Sequence, residues 1–215
     1  MLGQTKNKQS SSTLPSNRTQ EQYELEQEFQ PLFDFLEAKD KDWRKVESYS
    51  VSVTQYKGEE DIWQWIEMHK NDKREFTGNY KYNVNKTGLS IPKLKEEANT
   101  YPIRIVDNRI EYISGQPNIY FKDSLFTYQV TKTDIQKLSI KHLLVDHPET
   151  SIKNIYYNLE NKSLYEMIVK SLGMTSIESG TLDITKNGKE KYSLGIRLSD
   201  GKKMVYIIYQ INFSN

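Results

Sequence analysis

The sequence predicts an α+β protein: two antiparallel β-meanders, each preceded by a helix, packed as one globular body behind a disordered N-terminal tail. Three observations predict it. Apolar residues recur at helical spacing in two separate stretches. Elsewhere they alternate with polar residues, and short turns rich in Gly, Asn and Asp separate the alternating runs.

Met1–Gln20 opens the chain as the tail. Its run Gln9–Asn17 is rich in Ser and carries Leu14 as its one large apolar residue, so ordering it costs entropy without burial in return. Its charges are Lys6, Lys8 and Arg18, a basic bias that suits a flexible spacer beside an anionic membrane surface or a plain terminal tail. Order begins near Glu21. Leu25, Phe29, Leu32, Phe33 and Leu36 share a helical stripe, and Glu21, Glu24, Glu26 and Glu28 cluster toward its N-terminal end. Pro31 falls inside the pattern and predicts a break, with a second helix opening there and running to about Ala38.

Tyr49, Val51 and Val53 then alternate with Ser48, Ser50, Ser52 and Thr54, the pattern of a half-buried strand. Two further strands, Ile62–His69 and Glu75–Asn85, complete a meander, and Tyr101–Val106 with Arg109–Ile113 forms a hairpin turning at Asp107-Asn108. Asp134–Val145 reads either as a helix or as a loop followed by a strand. Ile152–Leu159 reads as a strand and Ser163–Leu172 as a helix stopped by Gly173. The last meander is Thr181–Thr185, Lys191–Leu198 and Met204–Phe213, with two-residue turns expected at Asn187-Gly188 and Asp200-Gly201. The domain is residues 21–215, divisible into 21–115 and 116–215. Its halves share a rhythm that raises an internal duplication.

Composition narrows the function. The net charge is +1, which argues against a dedicated nucleic-acid binder. The absence of cysteine excludes disulfides, Cys-ligated zinc and thiol catalysis. The 15 tyrosines suit residues that bury a ring and keep the hydroxyl wet. No window approaches the ~20 apolar residues that span a bilayer, and Met1–Gln20 is not a basic-then-apolar secretion signal.

The chain carries no Gly-x-Ser-x-Gly elbow, phosphate loop or dinucleotide fingerprint, and no cofactor is expected. Of its histidines, His69, His142 and His147, the last two flank Asp146 closely enough to raise a metal cluster. Solvated loop histidines are the simpler reading, and no metal is expected. Trp63 and Trp65 share one strand face, and with Tyr80 and Tyr82 of the next strand they form a candidate aromatic binding ladder. The competing expectation is that the first helix covers this face with Phe29, Phe33 and Leu36. Lys186, Lys189, Lys191, Lys202 and Lys203 crowd the last hairpin tips, either as solvated turns or as a basic rim for an anionic partner.

Several segments carry a family likeness: Asp61-Ile62-Trp63-Gln64-Trp65-Ile66, Asn71–Tyr80, the Tyr101-Pro102-Ile103-Arg104 hairpin with Asp107-Asn108-Arg109-Ile110, and Tyr156–Asn161 followed by a helix and Gly180-Thr181-Leu182. Their order resembles the staphylococcal tandem lipoproteins, also called conserved staphylococcal antigens, discontinuously from about Phe29 to Phe213. The resemblance implies an exported protein held on the outer face of the cell membrane by a lipidated N-terminal cysteine. It also implies contact with a host factor or other protein partner, and no catalytic residues. The lipidated cysteine is absent from this sequence, so the anchor is expected upstream of Gly3. The expectation is therefore a non-catalytic surface lipoprotein acting as an interaction or antigenic module. The alternatives are a soluble glycan-binding or inhibitory module using the aromatic face, and a hydrolase.

Overall fold

The computed structural model describes residues 14–73, 75–86, 91–96, 98–145 and 151–214. Helices α1 (Gln20–Gln27) and α2 (Gln30–Glu37) lead through a 3-10 turn at Trp43–Lys45 into strands β1 (Val46–Lys57), β2 (Glu60–Lys70) and β3 (Phe76–Lys86). Helix α3 (Ile91–Glu96) precedes β4 (Asn99–Val106) and β5 (Arg109–Tyr112). The second half runs α4 (Asp123–Phe126), α5 (Lys132–Gln136), β6 (Ile140–Val145), β7 (Ile152–Asn158), α6 (Lys162–Ser171), β8 (Ser179–Asn187), β9 (Lys191–Ser199) and β10 (Lys203–Phe213).

The two expected meanders are one sheet. Its ten strands are ordered β5-β4-β3-β2-β1-β10-β9-β8-β7-β6, all antiparallel, so the first strand pairs with the last. Tyr49, Val51 and Val53 of β1 stand opposite Ile211, Tyr209 and Ile207 of β10. Left as edges, these two long apolar strands would present unpaired backbone groups; joining them removes both edges at once. The first meander runs outward from the centre of the sheet and the second runs inward toward it.

Thr19 caps α1, accepting from the Gln22 backbone while the Gln22 side chain accepts from Thr19 N, and Pro31 sits in the first turn of α2 as expected. Leu32, Phe33, Phe35 and Leu36 of α2, Leu125 and Phe126 of α4, and Leu164 and Ile168 of α6 all enter one core on one face of the sheet. Of the two readings of Asp134–Val145, the loop-then-strand one is nearer, with β6 starting at Ile140 behind the short α5.

The tyrosines do more than keep a wet hydroxyl. Tyr49, Tyr157 and Tyr209 are fully sequestered, and two of them donate to carbonyls of one connecting segment: Tyr49 Oη to Phe126 O at 2.8 Å and Tyr209 Oη to Leu125 O at 2.8 Å. Tyr128 returns the favour from that segment, donating to Leu164 O at 2.6 Å. Burial pushes the Tyr49 and Tyr209 hydroxyls well above the ordinary tyrosine range, so they remain donors. An irregular connection is thus held on the sheet by satisfied polar groups.

The expected disorder does not extend to Gln20. Arg18 is buried, with Nε 3.0 Å from Glu26 Oε1, and it donates to Leu138 O at 2.9 Å. Tyr157 Oη donates to the same Glu26 oxygen at 2.9 Å, and Asn17 Nδ2 donates to Gln136 O at 3.0 Å. A buried guanidinium with these partners ties the segment before α1 to α5 and β7. Lys6 and Lys8 lie outside the described residues. The final hairpins also differ from expectation: their loops are three residues each, Gly188–Glu190 and Asp200–Lys202, with one positive φ apiece, at Gly188 and Gly201. Asp200 Oδ1 accepts from Lys202 N and Lys203 N, which closes the second loop. Asp107 and Asn108 both take positive φ, the tight turn their sequence predicts.

Candidate functional site

Helices α1, α2, α4, α5 and α6 send their buried residues to one face of the sheet, and the pleat sends every alternate strand residue to the other. On β1 these are Ser48, Ser50, Ser52 and Thr54, all half-buried, the last three between buried neighbours. Register extends this polar row in both directions. Ser50 stands between Glu67 of β2 and Gln210 of β10, which in turn stands beside Ser193 of β9 and then Thr185 of β8. Ser50 Oγ donates to Gln210 Oε1 at 3.1 Å.

Small side chains at Ser48, Ser50 and Ser193 leave space between Glu67 and Lys191, which hollows the face. The hollow has a volume of about 500 Å³ and is lined by Ser48, Ser50, Glu67, Ser193, Gln210 and Lys191 among others. One row along the strands, Ser52 leads through Ile208 and Gly195 to Asp183 and Tyr156. A Cβ on Gly195 would overlap the Asp183 carboxylate, so glycine is what lets that carboxylate fold down onto β9. Burial raises the Asp183 pKa, opposed by a hydrogen bond from Asn154. Tyr156 stacks on His142, with ring centroids 4.0 Å apart. Chemically this face offers hydroxyls, amides and the carboxylates of Glu67 and Asp183 to an extended polar ligand.

The four aromatic residues singled out by sequence do not form one ladder. Trp63 pairs with Asn83 and Trp65 with Lys81, whereas Tyr80 and Tyr82 stand opposite Ile66 and Gln64. The period of two puts the tryptophans on the open face and the tyrosines in the core. Nor is the tryptophan pair available. Trp63 and Trp65 are 4% and 7% exposed and lie 4.2 Å apart between ring centroids, with Ala98 packed on them. Lys81 Nζ sits 4.3 Å and Lys95 Nζ 4.6 Å from the Trp65 ring. The cover thus comes from α3 and the segment after it, not from the first helix, which is on the opposite face. No periodicity in Ile91–Glu96 signalled that short helix.

The five lysines of the expected basic rim are dispersed. Lys189 and Lys191 lie at the β8–β9 loop and Lys202 and Lys203 at the β9–β10 loop, which are opposite ends of a nine-residue strand, roughly 30 Å apart. Lys186 is turned to the covered face, where it and Lys153 hold Glu28 at 3.2 Å and 2.5 Å and help lower its pKa. His69 and His142 are exposed on the open face, while His147 and Asp146 lie outside the described residues. Among the described residues no three of His, Cys, Asp and Glu converge as metal ligands would. Sequence reasoning passed over the Ser/Gln/Asn floor because isolated small polar residues look like ordinary solvated strand positions. Only their register across β1, β10, β9 and β8 joins them.

No protein-family profile and no curated protein sequence matches this chain.

Proposed function

We propose that this protein is a non-catalytic binding module which presents the open face of its sheet to a polar partner at the outer surface of a bacterial cell, held there by an N-terminal lipid anchor. The observation that carries the binding part is the contrast between a fully packed covered face and a hollowed face floored by Ser48, Ser50, Ser193 and Gln210. A sheet this wide normally buries both faces or leaves one merely solvated. Here the open face is concave, and Ile208, 40% exposed, sits at its centre as an apolar contact within a hydrogen-bonding floor. The surface location rests on the resemblance of its segment order to the tandem lipoproteins. No helix among the described residues is long and apolar enough to cross a membrane, which is compatible with anchoring by lipid.

A second reading, a soluble glycan-binding or inhibitory module, draws on the same face. It is favoured by the His142–Tyr156 stack there, since the buried Trp63 and Trp65 do not offer a platform.

Two measurements separate these readings. The native gene product, expressed in a Gram-positive host fed a clickable palmitate analogue, is expected to incorporate label. Absence of label removes the anchor and leaves the soluble reading. The folded chain is also screened on protein and glycan arrays beside a Ser50→Arg/Ser193→Arg variant, which fills the hollow. Signals are expected to vanish in the variant, and hits that survive it would place the interface elsewhere.

A further inference from the structure

A second cavity, of about 580 Å³, opens where β1 begins and β10 ends, between the C-terminal half of α2 and the loop that follows it. This is within the ~300–1,000 Å³ range of ligand pockets. Its floor is aromatic. Phe35 is 6% exposed and meets Phe213 edge to face, with centroids 5.9 Å apart, and Pro31 and Ala38 extend the apolar wall.

Its rim bears Asp34, Asp40 and Asp42, and these are not equivalent. Asp42 is committed to the rim's own cations, 2.8 Å from Arg44 Nε and 3.9 Å from Lys45 Nζ, and the Arg44 hydrogen bond holds its pKa low. Asp34 and Asp40 are each oriented by a neutral amide instead: Gln30 Nε2 donates to Asp34 Oδ1 at 2.6 Å, and Asn108 Nδ2 donates to Asp40 Oδ1 at 3.1 Å. Those contacts place the carboxylates without neutralising them, and among the described residues neither takes part in an ion pair. The lysine between Asp40 and Asp42 is withdrawn from the rim. Lys41 Nζ turns inward and donates to Phe35 O at 2.7 Å and Leu36 O at 2.9 Å.

We propose that this cavity receives an arginine side chain of a basic peptide or protein segment. The half-buried Phe213 ring, with Pro31 and Ala38, would take the apolar stem and the flat face of the guanidinium, and Asp34 and Asp40 would take the charge. The stacking falls to Phe213 because Phe35 is buried with Lys41 Nζ already 5.1 Å from its ring. Charge complementarity selects this occupant. The rim carries three carboxylates against the two cations Arg44 and Lys45, and Asp34 and Asp40 lie beside the carbonyl end of α2, a setting that favours a cation over an anionic lipid headgroup. The planar guanidinium suits a site combining stacking with carboxylates better than a compact ammonium does. This site lies apart from the open-face hollow, shares no lining residue with it, and stands or falls independently of the function proposed above.

The test is an NMR titration of the ¹⁵N-labelled full chain with a blocked Gly-Arg-Gly-Arg-Gly peptide and with the same peptide carrying citrulline, the neutral isostere. The arginine peptide is expected to shift the amides of Phe35, Ala38 and Phe213 saturably. The citrulline peptide and the Asp34→Asn/Asp40→Asn variant are each expected to weaken that binding about tenfold or more, as loss of charged hydrogen bonds does. Both substitutions keep the side-chain shape at exposed positions, and an unchanged melting temperature verifies the fold. Absent shifts, equal response to citrulline, indifference to the double substitution, or competition by phosphatidylglycerol vesicles at these amides would each overturn the proposal.

Discussion

Along β1, Tyr49, Val51 and Val53 are no more than 3% exposed, while Ser48, Ser50, Ser52 and Thr54 stay half-exposed on the opposite side of the same strand. The covered face continues this way across the sheet, through Ile66 and Tyr80 in one direction and Tyr209, Leu194 and Ile184 in the other. The open face is small and polar around Ser48, Ser50 and Ser193, with larger groups at Ile208, Tyr206 and Tyr156, and α3 lies over Trp63 and Trp65. The comparison teaches where stability and recognition reside. The covered face holds the molecule together through packing and fully partnered polar groups. The middle of the open face contributes little to that, and is therefore free to be shaped by a partner.

The sharpest way to break this division is at the buried charge of the covered face. Glu26→Ala leaves the Arg18 guanidinium sequestered without its carboxylate and removes the acceptor of Tyr157. Urea denaturation should show a loss of roughly 3–5 kcal/mol; a loss as small as that of a surface substitution would mean the node is solvated. The next effect depends on pH. Lys41, 6% exposed, has its pKa lowered by burial from 10.5 to about 8. Between those values the unfolded chain binds a proton that the folded chain has released, so the contribution of Lys41 to stability rises with pH. Below pH 8 both states are protonated and the burial cost is present in full. The stability of wild type relative to Lys41→Met should therefore improve by on the order of 3 kcal/mol across that window. A flat difference, measured by chemical denaturation at several pH values, would show that the ammonium is not desolvated.

A smaller loss is expected at Gly78, which stands between Met68 and Ile103 on the covered face and whose Cβ would overlap the Glu67 carbonyl of β2. Gly78→Ala should cost about 1–3 kcal/mol by overpacking, read as a lowered urea midpoint. Smallest of all, Ser52→Ala at the centre of the open face should stay within about 0.5 kcal/mol of wild type. A large loss there would assign that face a structural role. Between these extremes lies the patch of the open face that α3 covers. Lys95→Ala should raise acrylamide quenching of tryptophan emission, because Lys95 lies over Trp65, with a stability change of roughly 0.5–1 kcal/mol.

Much of the architecture was legible in the sequence because its signals are local. The alternation of Tyr49–Thr54, the Pro31 break between helices, the Asp107-Asn108 turn and the Gly173 stop each depend on neighbours a few residues apart. The candidate site was mostly illegible. Trp63 and Trp65 were rightly placed on one face, but Tyr80 and Tyr82 fell on the other because strand register, not spacing within a strand, decides which residues meet. Lys186, Lys189, Lys191, Lys202 and Lys203 are close in sequence and distant in space, because successive hairpin loops lie at opposite ends of a strand.

By itself, then, the sequence determined that this chain builds helices at Gln20–Glu37 and Lys162–Ser171 and antiparallel strands around them, since hydrophobic period and turn chemistry act over short range. Tertiary structure alone decided that β1 would meet β10 and make one sheet of two meanders, and that Arg18 would leave the tail for the core. It also decided that α3 would close over the tryptophans. Each of these joins residues far apart in the chain, through apolar surface and unpaired polar groups that many partners would satisfy locally and only one arrangement satisfies together.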